Sequence, residues 1–215
     1  MNGELIYVYK AYERFWHWSQ AALIVLLAIT GFEIHGTYSL LGFEKAVGIH
    51  TFSAWTLLVI WAFTIFWQFT TDEWKQYIPS IKNVDAMIRY YVIGIFKDVP
   101  HPFCKSVEKK HNPLQRLAYL TLLAFISPVI WGSGLFYLFY DKWPALGIDQ
   151  WLTLGTVATA HVIGAFAITA FFFIHVYLTT TGHTVFAHIK AMITGWDVVH
   201  CDETHSVKKD GETHS

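Results

Sequence analysis

Hydrophobic and polar positions divide the chain into four long apolar stretches that are separated by polar connections. A helix that crosses a bilayer needs about 20 largely uncharged residues, and all four stretches reach that length. Long apolar helices also occur in soluble cores, but four such runs in one short chain favour a membrane protein. The pattern predicts an all-α membrane protein, a bundle of four transmembrane helices. The predicted spans are 15–34, 46–71, 117–140 and 151–180.

Positive charges are distributed unevenly between the two sides of the predicted membrane. Every Lys and Arg except Lys45 and Lys142 lies before span one, between spans two and three, or after span four. Cytoplasmic segments of membrane proteins carry an excess of Lys and Arg. The charge distribution therefore predicts that both termini and the long second loop are cytoplasmic.

The polar connections predict two shorter helices at the membrane surface. Residues 84–96 in the second loop mix apolar and charged side chains in an amphipathic pattern, and Asn83 is a suitable N-cap. Residues 184–199 predict an interfacial helix after span four. The chain is thus expected to form one membrane domain, 1–199, followed by a polar and disordered tail, 200–215.

Composition excludes several classes of function. The 15 Lys and Arg residues are balanced by 16 Asp and Glu residues, so the basic excess typical of a nucleic-acid-binding protein is missing. Cys104 and Cys201 form neither a CxxC motif nor the CxxCH motif that attaches haem covalently. The unusual feature is the presence of 12 histidines in a chain of which only 14% is charged.

Four of these histidines lie at membrane depth, where ionisable residues are costly and usually functional. His50 and His161 lie near the outer ends of spans two and four, whereas His17 and His175 lie near the inner ends of spans one and four. The step from His161 to His175 turns a helix by roughly 1400°, so both side chains leave nearly the same face. Their axial separation of about 21 Å is too large for one metal ion but suits two cofactors stacked across the bilayer.

Two imidazoles from different helices of a bundle are the axial ligands of a bis-His haem, a centre suited to electron transfer. The depths predict an outer haem between His50 and His161 and an inner haem between His17 and His175. Both haems would be b-type and non-covalent. Small residues near these positions would let a flat macrocycle approach, or let helices pack closely: Gly31, Gly48 and Gly164.

Several short motifs give the chain a resemblance to a known family. They are residues 13–18 (ERFWHW), 48–50 (GIH), 110–116 (KHNPLQR), the His161 and His175 pair, and the segment 182–195. With these motifs the chain resembles, from about residue 12 to 199, the membrane cytochrome b subunits of bacterial respiratory oxidoreductases. These are the gamma subunit of formate dehydrogenase, the b-type subunit of nickel–iron hydrogenase and the thiosulfate reductase cytochrome b. The chain also resembles small bacterial cytochrome b561 proteins.

The resemblance implies a multi-pass protein of the bacterial cytoplasmic (inner) membrane, with two haem b groups on His17, His50, His161 and His175. It implies electron transfer in a respiratory chain between an extracytoplasmic redox partner and menaquinone or ubiquinone. The protein would then be an electron-transfer subunit with its own quinone site. Its partners would be an iron–sulfur subunit and a catalytic subunit of the molybdopterin or nickel–iron type.

The resemblance also implies a position for the quinone. Asn112 matches an asparagine that helps form the quinone pocket in formate-dehydrogenase-like members, and Gln115 lies one turn further on. Asn112 followed by Pro113 is equally typical of the N-terminus of a helix. Both interpretations of Asn112 stay open at this point.

Two other functions are also compatible with the sequence. A stand-alone b561-type oxidoreductase, such as a superoxide oxidase or a ferric reductase linked to quinone, would use the haems without a partner subunit. A haem-free anchor or transporter would instead use the histidines to relay protons or bind metal ions.

Overall fold

The computed structural model describes residues 4–78, 84–94, 97, 103, 110–182 and 184–199. Its helices are α1 (Ala11–Ile34), α2 (Phe43–Thr70), α3 (Val84–Val92), α4 (Pro113–Leu138), α5 (Leu154–Thr179) and α6 (Ala187–Thr194). Four of them, α1, α2, α4 and α5, are long and apolar enough to cross a membrane. The prediction of four spans is therefore confirmed. One-turn helices lie at Glu73–Tyr77, Tyr140–Lys142, Trp143–Leu146 and Ile148–Gln150.

A single carboxylate holds the connection between α1 and α2. Oε1 of Glu33 accepts the backbone N–H groups of Leu40, Leu41 and Gly42 at 2.8, 2.6 and 2.8 Å. These amides come immediately before α2, where N–H groups lack a helical acceptor. Glu33 is 5% exposed and sits at the end of α1. It therefore couples the end of one span to the start of the next.

Helix α4 contains one wide turn. The segments Pro113–Thr121 and Ser127–Leu138 are α-helical, but Leu122–Ile126 is π-helical. The backbone N–H of Ser127 donates to the carbonyl of Leu122, five residues earlier. Pro128 follows directly, and a proline has no N–H to donate while its ring crowds the carbonyl four residues back. The proline thus accounts for the wide turn.

A short two-stranded sheet adds to the predicted helices. Strand β1 (Glu4–Tyr7) pairs antiparallel with β2 (Trp196–Val199), so that Tyr7 lies opposite Trp196. Gly195 precedes β2 with a φ of 90°, and a Cβ there would lie 2.5 Å from Cε2 of Tyr7. Both the backbone conformation and the close approach therefore require glycine at this position.

The two short helices differ in length from those predicted. Helix α3 ends at Val92 rather than at residue 96, and the predicted cap Asn83 lies outside the described residues. Helix α6 covers Ala187–Thr194 because Gly195, in the left-handed conformation, ends it before β2. Trp18 Nε1 donates to the carbonyl of Met192 at 3.1 Å and so ties α6 to α1. The location of both helices at the membrane surface stays a prediction, and the tail 200–215 lies outside the described residues.

The chain divides into two compact units. The first comprises the described parts of Met1–Trp18, Thr64–Leu117 and Leu178–Ser215, and the second comprises Ser19–Phe63 and Ala118–Tyr177. In the second unit segments of α1, α2, α4 and α5 form a four-helix bundle. Its contacts include the rings of Trp61 and Trp131 at 4.2 Å, the rings of Phe32 and Phe166 at 5.6 Å, and Gly164 against Ile130.

Candidate functional site

Two of the four predicted haem ligands lie next to each other in the second unit. The imidazole centroids of His50 on α2 and His161 on α5 are 6.3 Å apart, and the ring planes are inclined at 67°. Both residues are half-buried. Two different helices thus bring their imidazoles together within the bundle, where cofactor sites of helical bundles are built.

The neighbouring helices hold these two imidazoles in the same way. Nδ1 of His50 lies 3.0 Å from Oγ1 of Thr30 on α1, and Nδ1 of His161 lies 3.0 Å from Oγ of Ser133 on α4. Both hydroxyl-bearing residues are buried. Each hydroxyl also donates to the carbonyl four residues earlier in its own helix, at 2.8 and 2.5 Å.

A glycine follows each of these hydroxyl residues and leaves room for the ring. A Cβ on Gly31 would lie 3.2 Å from Cε1 of His50, and a Cβ on Gly134 would lie 3.3 Å from Cε1 of His161. Gly31 is one of the three glycines predicted to let a macrocycle or a helix approach closely. Thr30, Ser133 and Gly134 are not among the predicted site residues. The signal for them is a hydroxyl residue followed by glycine near the outer end of spans one and three.

The other two of these glycines, Gly48 and Gly164, do not lie against a predicted ligand. A Cβ on Gly164 would lie 3.2 Å from the Ile130 side chain, so this glycine allows α4 and α5 to pack closely. Among the described residues, a Cβ on Gly48 would have no atom within 4 Å apart from its chain neighbours and its own helix backbone. Only Gly31 of the three therefore lies against a predicted ligand.

The spacing of the outer pair fits an iron centre held between the two imidazoles. Two metal–imidazole bonds of about 2.0–2.1 Å separate the bound nitrogens by about 4 Å, and each ring centroid lies roughly 1 Å further out. The observed 6.3 Å between centroids agrees with that sum. Zinc takes three or four protein ligands, whereas haem iron takes only axial ligands from the protein. Among the described residues no group of three or more His, Cys, Asp or Glu is placed to hold a metal ion.

The two predicted inner ligands belong to different units, His17 to the first and His175 to the second, and their pairing stays a prediction. His17 lies in the second turn of α1, and its ring meets Trp18 edge-on at 5.2 Å. His175 stacks on Phe171, one turn earlier in α5, with centroids 6.0 Å apart and planes within 8°. His161 and His175 lie on the same helix, Leu154–Thr179, as their predicted spacing requires.

Four charged residues in the described part of the first unit form a cluster, of which three are largely buried and Lys10 is half-exposed. Nζ of Lys110 lies 2.7 Å from Oε1 of Glu13 and 3.2 Å from Oε2 of Glu73, and Lys10 pairs with the other oxygen of Glu73. Only 2% of the Lys110 side chain is exposed, against 13% for Glu13 and 10% for Glu73. Two lysines and two glutamates from three separate chain segments thus form one balanced cluster.

The cluster shifts the ionisation of Glu73. Burial disfavours the charged carboxylate, but the hydrogen bond from Lys10 and the charge of Lys110 outweigh it, so the pKa of Glu73 lies below its usual value. The hydrogen bond with Glu73 in turn raises the pKa of Lys10. The two partners of this pair therefore stabilise each other's charged form.

Asn112 and Gln115, the residues predicted to bind quinone, form the N-terminal cap of α4. Oδ1 of Asn112 accepts the N–H of Gln115 at 2.8 Å, and Oε1 of Gln115 accepts the N–H of Asn112 at 3.0 Å. This reciprocal pair is a capping box. Nδ2 of Asn112 donates to the Tyr91 hydroxyl of α3 at 3.1 Å, and Asn112 is 3% exposed. The cap is thus present, and the quinone role stays a prediction.

The four candidate membrane-crossing helices and the histidine pair within their bundle suit the class of multi-pass b-type cytochromes. Residues 8–195 match the family described as prokaryotic cytochrome b561. The chain belongs to this family. Membership confirms the resemblance to membrane cytochrome b subunits, and it implies haem b and a role in electron transport.

The chain is similar to its relatives over most of its length. It is 31% identical over 206 residues to the Escherichia coli K12 protein named cytochrome YdhU, a match that covers 91% of this chain and 76% of the relative. It is 24% identical over 226 residues to a protein of Azotobacter vinelandii named a probable Ni/Fe-hydrogenase B-type cytochrome subunit, covering 89% and 88%. A Rhodobacter capsulatus protein of the same name is 27% identical over 203 residues, covering 80% and 72%. No solved structure matches this chain.

Proposed function

We propose that this protein carries electrons across the membrane through two b haems, an outer one on His50 and His161 and an inner one on His17 and His175. The observation that carries the proposal is the outer pair, two half-buried imidazoles from α2 and α5 with centroids 6.3 Å apart. Bis-His iron has no open coordination position and is therefore suited to electron transfer rather than substrate binding. The position of His175 on α5, about 21 Å along the helix from His161, supports the second haem.

The direction of the chain in the membrane follows from its charges. Both termini and the loop between α2 and α4 lie on the cytoplasmic side, because the Lys and Arg residues are concentrated there. The outer haem then lies close to the extracytoplasmic surface, within reach of a partner. The names of the relatives support a hydrogenase-type complex. We place an iron–sulfur subunit and a nickel–iron or molybdopterin catalytic subunit on that side.

The inner haem exchanges electrons with menaquinone or ubiquinone near the cytoplasmic surface, and the protein acts as the quinone-linked subunit of the complex. Nδ2 of Asn112 carries two hydrogens, of which Tyr91 accepts one. We assign the second hydrogen, for which the described residues show no acceptor, to a quinone carbonyl, while Gln115 holds the Asn112 side chain in place through the capping box. The single membrane domain, 1–199, carries all of these groups.

An absorption spectrum tests the presence of haem. Full-length protein purified in detergent should show a reduced b-type band, and a pyridine haemochrome assay should count two haems per chain. Protein that folds and binds no haem would refute the proposal and favour a haem-free anchor or transporter.

Single substitutions test the assignment of ligands. His161→Ala should remove the outer haem alone and His175→Ala the inner haem alone, so each variant should keep one haem. His35→Ala is the matched control, because His35 is exposed just after α1 and should leave both haems in place. Loss of both haems from either ligand variant, or of neither, would contradict the pairing.

Purification from the native membrane tests the partner. An iron–sulfur subunit should co-purify with the chain, and quinone-linked activity should need that subunit. Full activity of the isolated chain would instead favour a stand-alone b561-type oxidoreductase, such as a superoxide oxidase or a ferric reductase.

A further inference from the structure

We infer that Thr30 and Ser133 are positioning residues that set the tautomer and the ring orientation of His50 and His161. The inference rests on the proposed haem function, and it assigns a role to two hydroxyl groups outside the predicted ligand set. Its basis is that the same hydroxyl–imidazole arrangement occurs twice, on different pairs of helices.

The hydrogen of each hydroxyl is used within its own helix. Oγ1 of Thr30 lies 2.8 Å from the carbonyl oxygen of Leu26, and Oγ of Ser133 lies 2.5 Å from that of Val129. A carbonyl oxygen can only accept a hydrogen bond, and a hydroxyl has one hydrogen to give. Two oxygens at these distances have that hydrogen between them. The hydroxyl oxygen is therefore left as an acceptor.

The acceptor decides which imidazole nitrogen carries the proton. Nδ1 of His50 and Nδ1 of His161 each lie 3.0 Å from such an oxygen, so Nδ1 is the protonated nitrogen. In a neutral imidazole the lone pair is then on Nε2, the nitrogen available to iron. The glycine beside each hydroxyl confines the Cε1 edge of the same ring. The backbone carbonyls of Leu27 and Ile130, three residues before each hydroxyl, also accept from these rings and favour the same tautomer. The hydroxyl thus shares in setting the tautomer, and the glycine beside it confines the ring plane.

The hydroxyl also influences the electron density at Nε2. A hydrogen bond from Nδ1–H makes the imidazole a stronger donor to the metal. A stronger donor stabilises ferric iron more than ferrous iron, because the ferric ion carries the higher charge. Loss of the hydroxyl should therefore raise the midpoint potential of the outer haem.

Thr30→Val and Ser133→Ala test the inference in the full-length protein. Each variant should keep two haems, shift the midpoint potential of the outer haem upward and alter the electron paramagnetic resonance signal of that ferric haem. The inner haem should not change. Thr30→Ser retains the hydroxyl and should restore the wild-type potential.

Thr159→Val is the matched control. Thr159 also donates to a carbonyl of its own helix, that of Gly155 at 2.9 Å, but it is exposed on α5. This variant should leave potential and signal unchanged.

The outcomes separate the inference from the proposed function. An unchanged outer haem in both Thr30→Val and Ser133→Ala would overturn the inference while leaving electron transfer intact. An upward shift of the potential in Thr30→Val that is absent from Thr30→Ser would support it. An equal effect on the outer haem in Thr30→Val and Thr30→Ser would assign that effect to packing and overturn the inference. Wild-type protein without haem would refute the proposed function itself.

Discussion

Replacing Lys110 with methionine would leave two buried carboxylates without their shared cation. Nζ of Lys110 lies 2.7 Å from Glu13 and 3.2 Å from Glu73, and only 2% of the lysine side chain is exposed. Methionine fills most of the space of the lysine stem but supplies no charge. The variant therefore tests the electrostatic contribution of the cluster more than its packing.

Removal of one partner from a buried ion pair typically costs about 3–5 kcal/mol, because a charge is left buried and uncompensated. Two features of the cluster favour the lower end of that range. Lys10 still pairs with Glu73, and the backbone N–H of Lys10 still donates to Glu13 at 2.7 Å. We expect Lys110→Met to lower the free energy of unfolding by about 3 kcal/mol.

The same variant should change how stability depends on pH. The pKa of Glu73 is lower in the folded state than in an unfolded chain. The ionised carboxylate therefore contributes its full stabilisation of the fold at pH values above the unfolded-state pKa. That contribution is lost as the pH falls through the folded-state pKa. Because the charge of Lys110 helps to lower this pKa, Lys110→Met should move the acid-induced loss of stability to higher pH.

Thermal unfolding of the detergent-purified protein, followed by circular dichroism at neutral pH and along an acid titration, measures both effects. Lys75→Met is the matched control, because Lys75 is 57% exposed and pairs with Asp72 at the surface, where ion pairs contribute little. Adding Glu13→Gln to Lys110→Met should recover part of the loss, since it removes an uncompensated charge. Equal stability of the two lysine variants, or an unshifted acid transition in Lys110→Met, would show that Lys110 does not stabilise the two carboxylates.

Three further substitutions, two of them paired with a comparison variant, test other close contacts. Gly134→Ala should lower the haem content, because the new methyl group would lie 3.3 Å from the His161 ring. Gly132→Ala should preserve the haem absorbance, because a Cβ there has no described neighbour within 4 Å outside its own helix backbone. Glu33→Ala should lower the melting temperature, because three backbone N–H groups lose their acceptor, and Glu33→Gln, which keeps one acceptor oxygen, should lower it less. Gly195→Ala should destabilise the sheet by more than about 1 kcal/mol, because alanine is strained at a φ of 90°. Limited proteolysis of the N-terminal strand measures this last effect, and wild-type resistance would contradict it.

The sequence predicts the spans well because length and apolarity alone decide whether a helix can cross a bilayer. It also predicts the start of α4, since the cap at Asn112 and Pro113 depends only on neighbouring residues. The wide turn in α4 is harder to predict from the sequence, because a proline in a span can produce either a kink or a π-helical turn.

Contacts between helices are harder to predict because they depend on how each helix is rotated. The depth of His50 and His161 can be estimated from the sequence, but the hydroxyls of Thr30 and Ser133 become partners only through the packing of α1 and α4. The burial of Lys110 is even harder to predict from the sequence. This residue lies in a polar and basic stretch that favours exposure, and its burial depends on glutamates from two distant segments.

The wide turn of α4 makes the number of residues in this helix matter as much as their identity. Helix α4 meets α5 on both sides of the turn, through Tyr119 with Phe171 before it and through Ser133 with His161 after it. Deleting one residue between these contacts, with the π-helical turn left in place, would rotate one end of the helix by about 100° against the other. Tyr119 could then keep its neighbour only if Ser133 turned away from His161. An insertion or deletion here would therefore disturb the outer histidine pair without altering any residue that touches it.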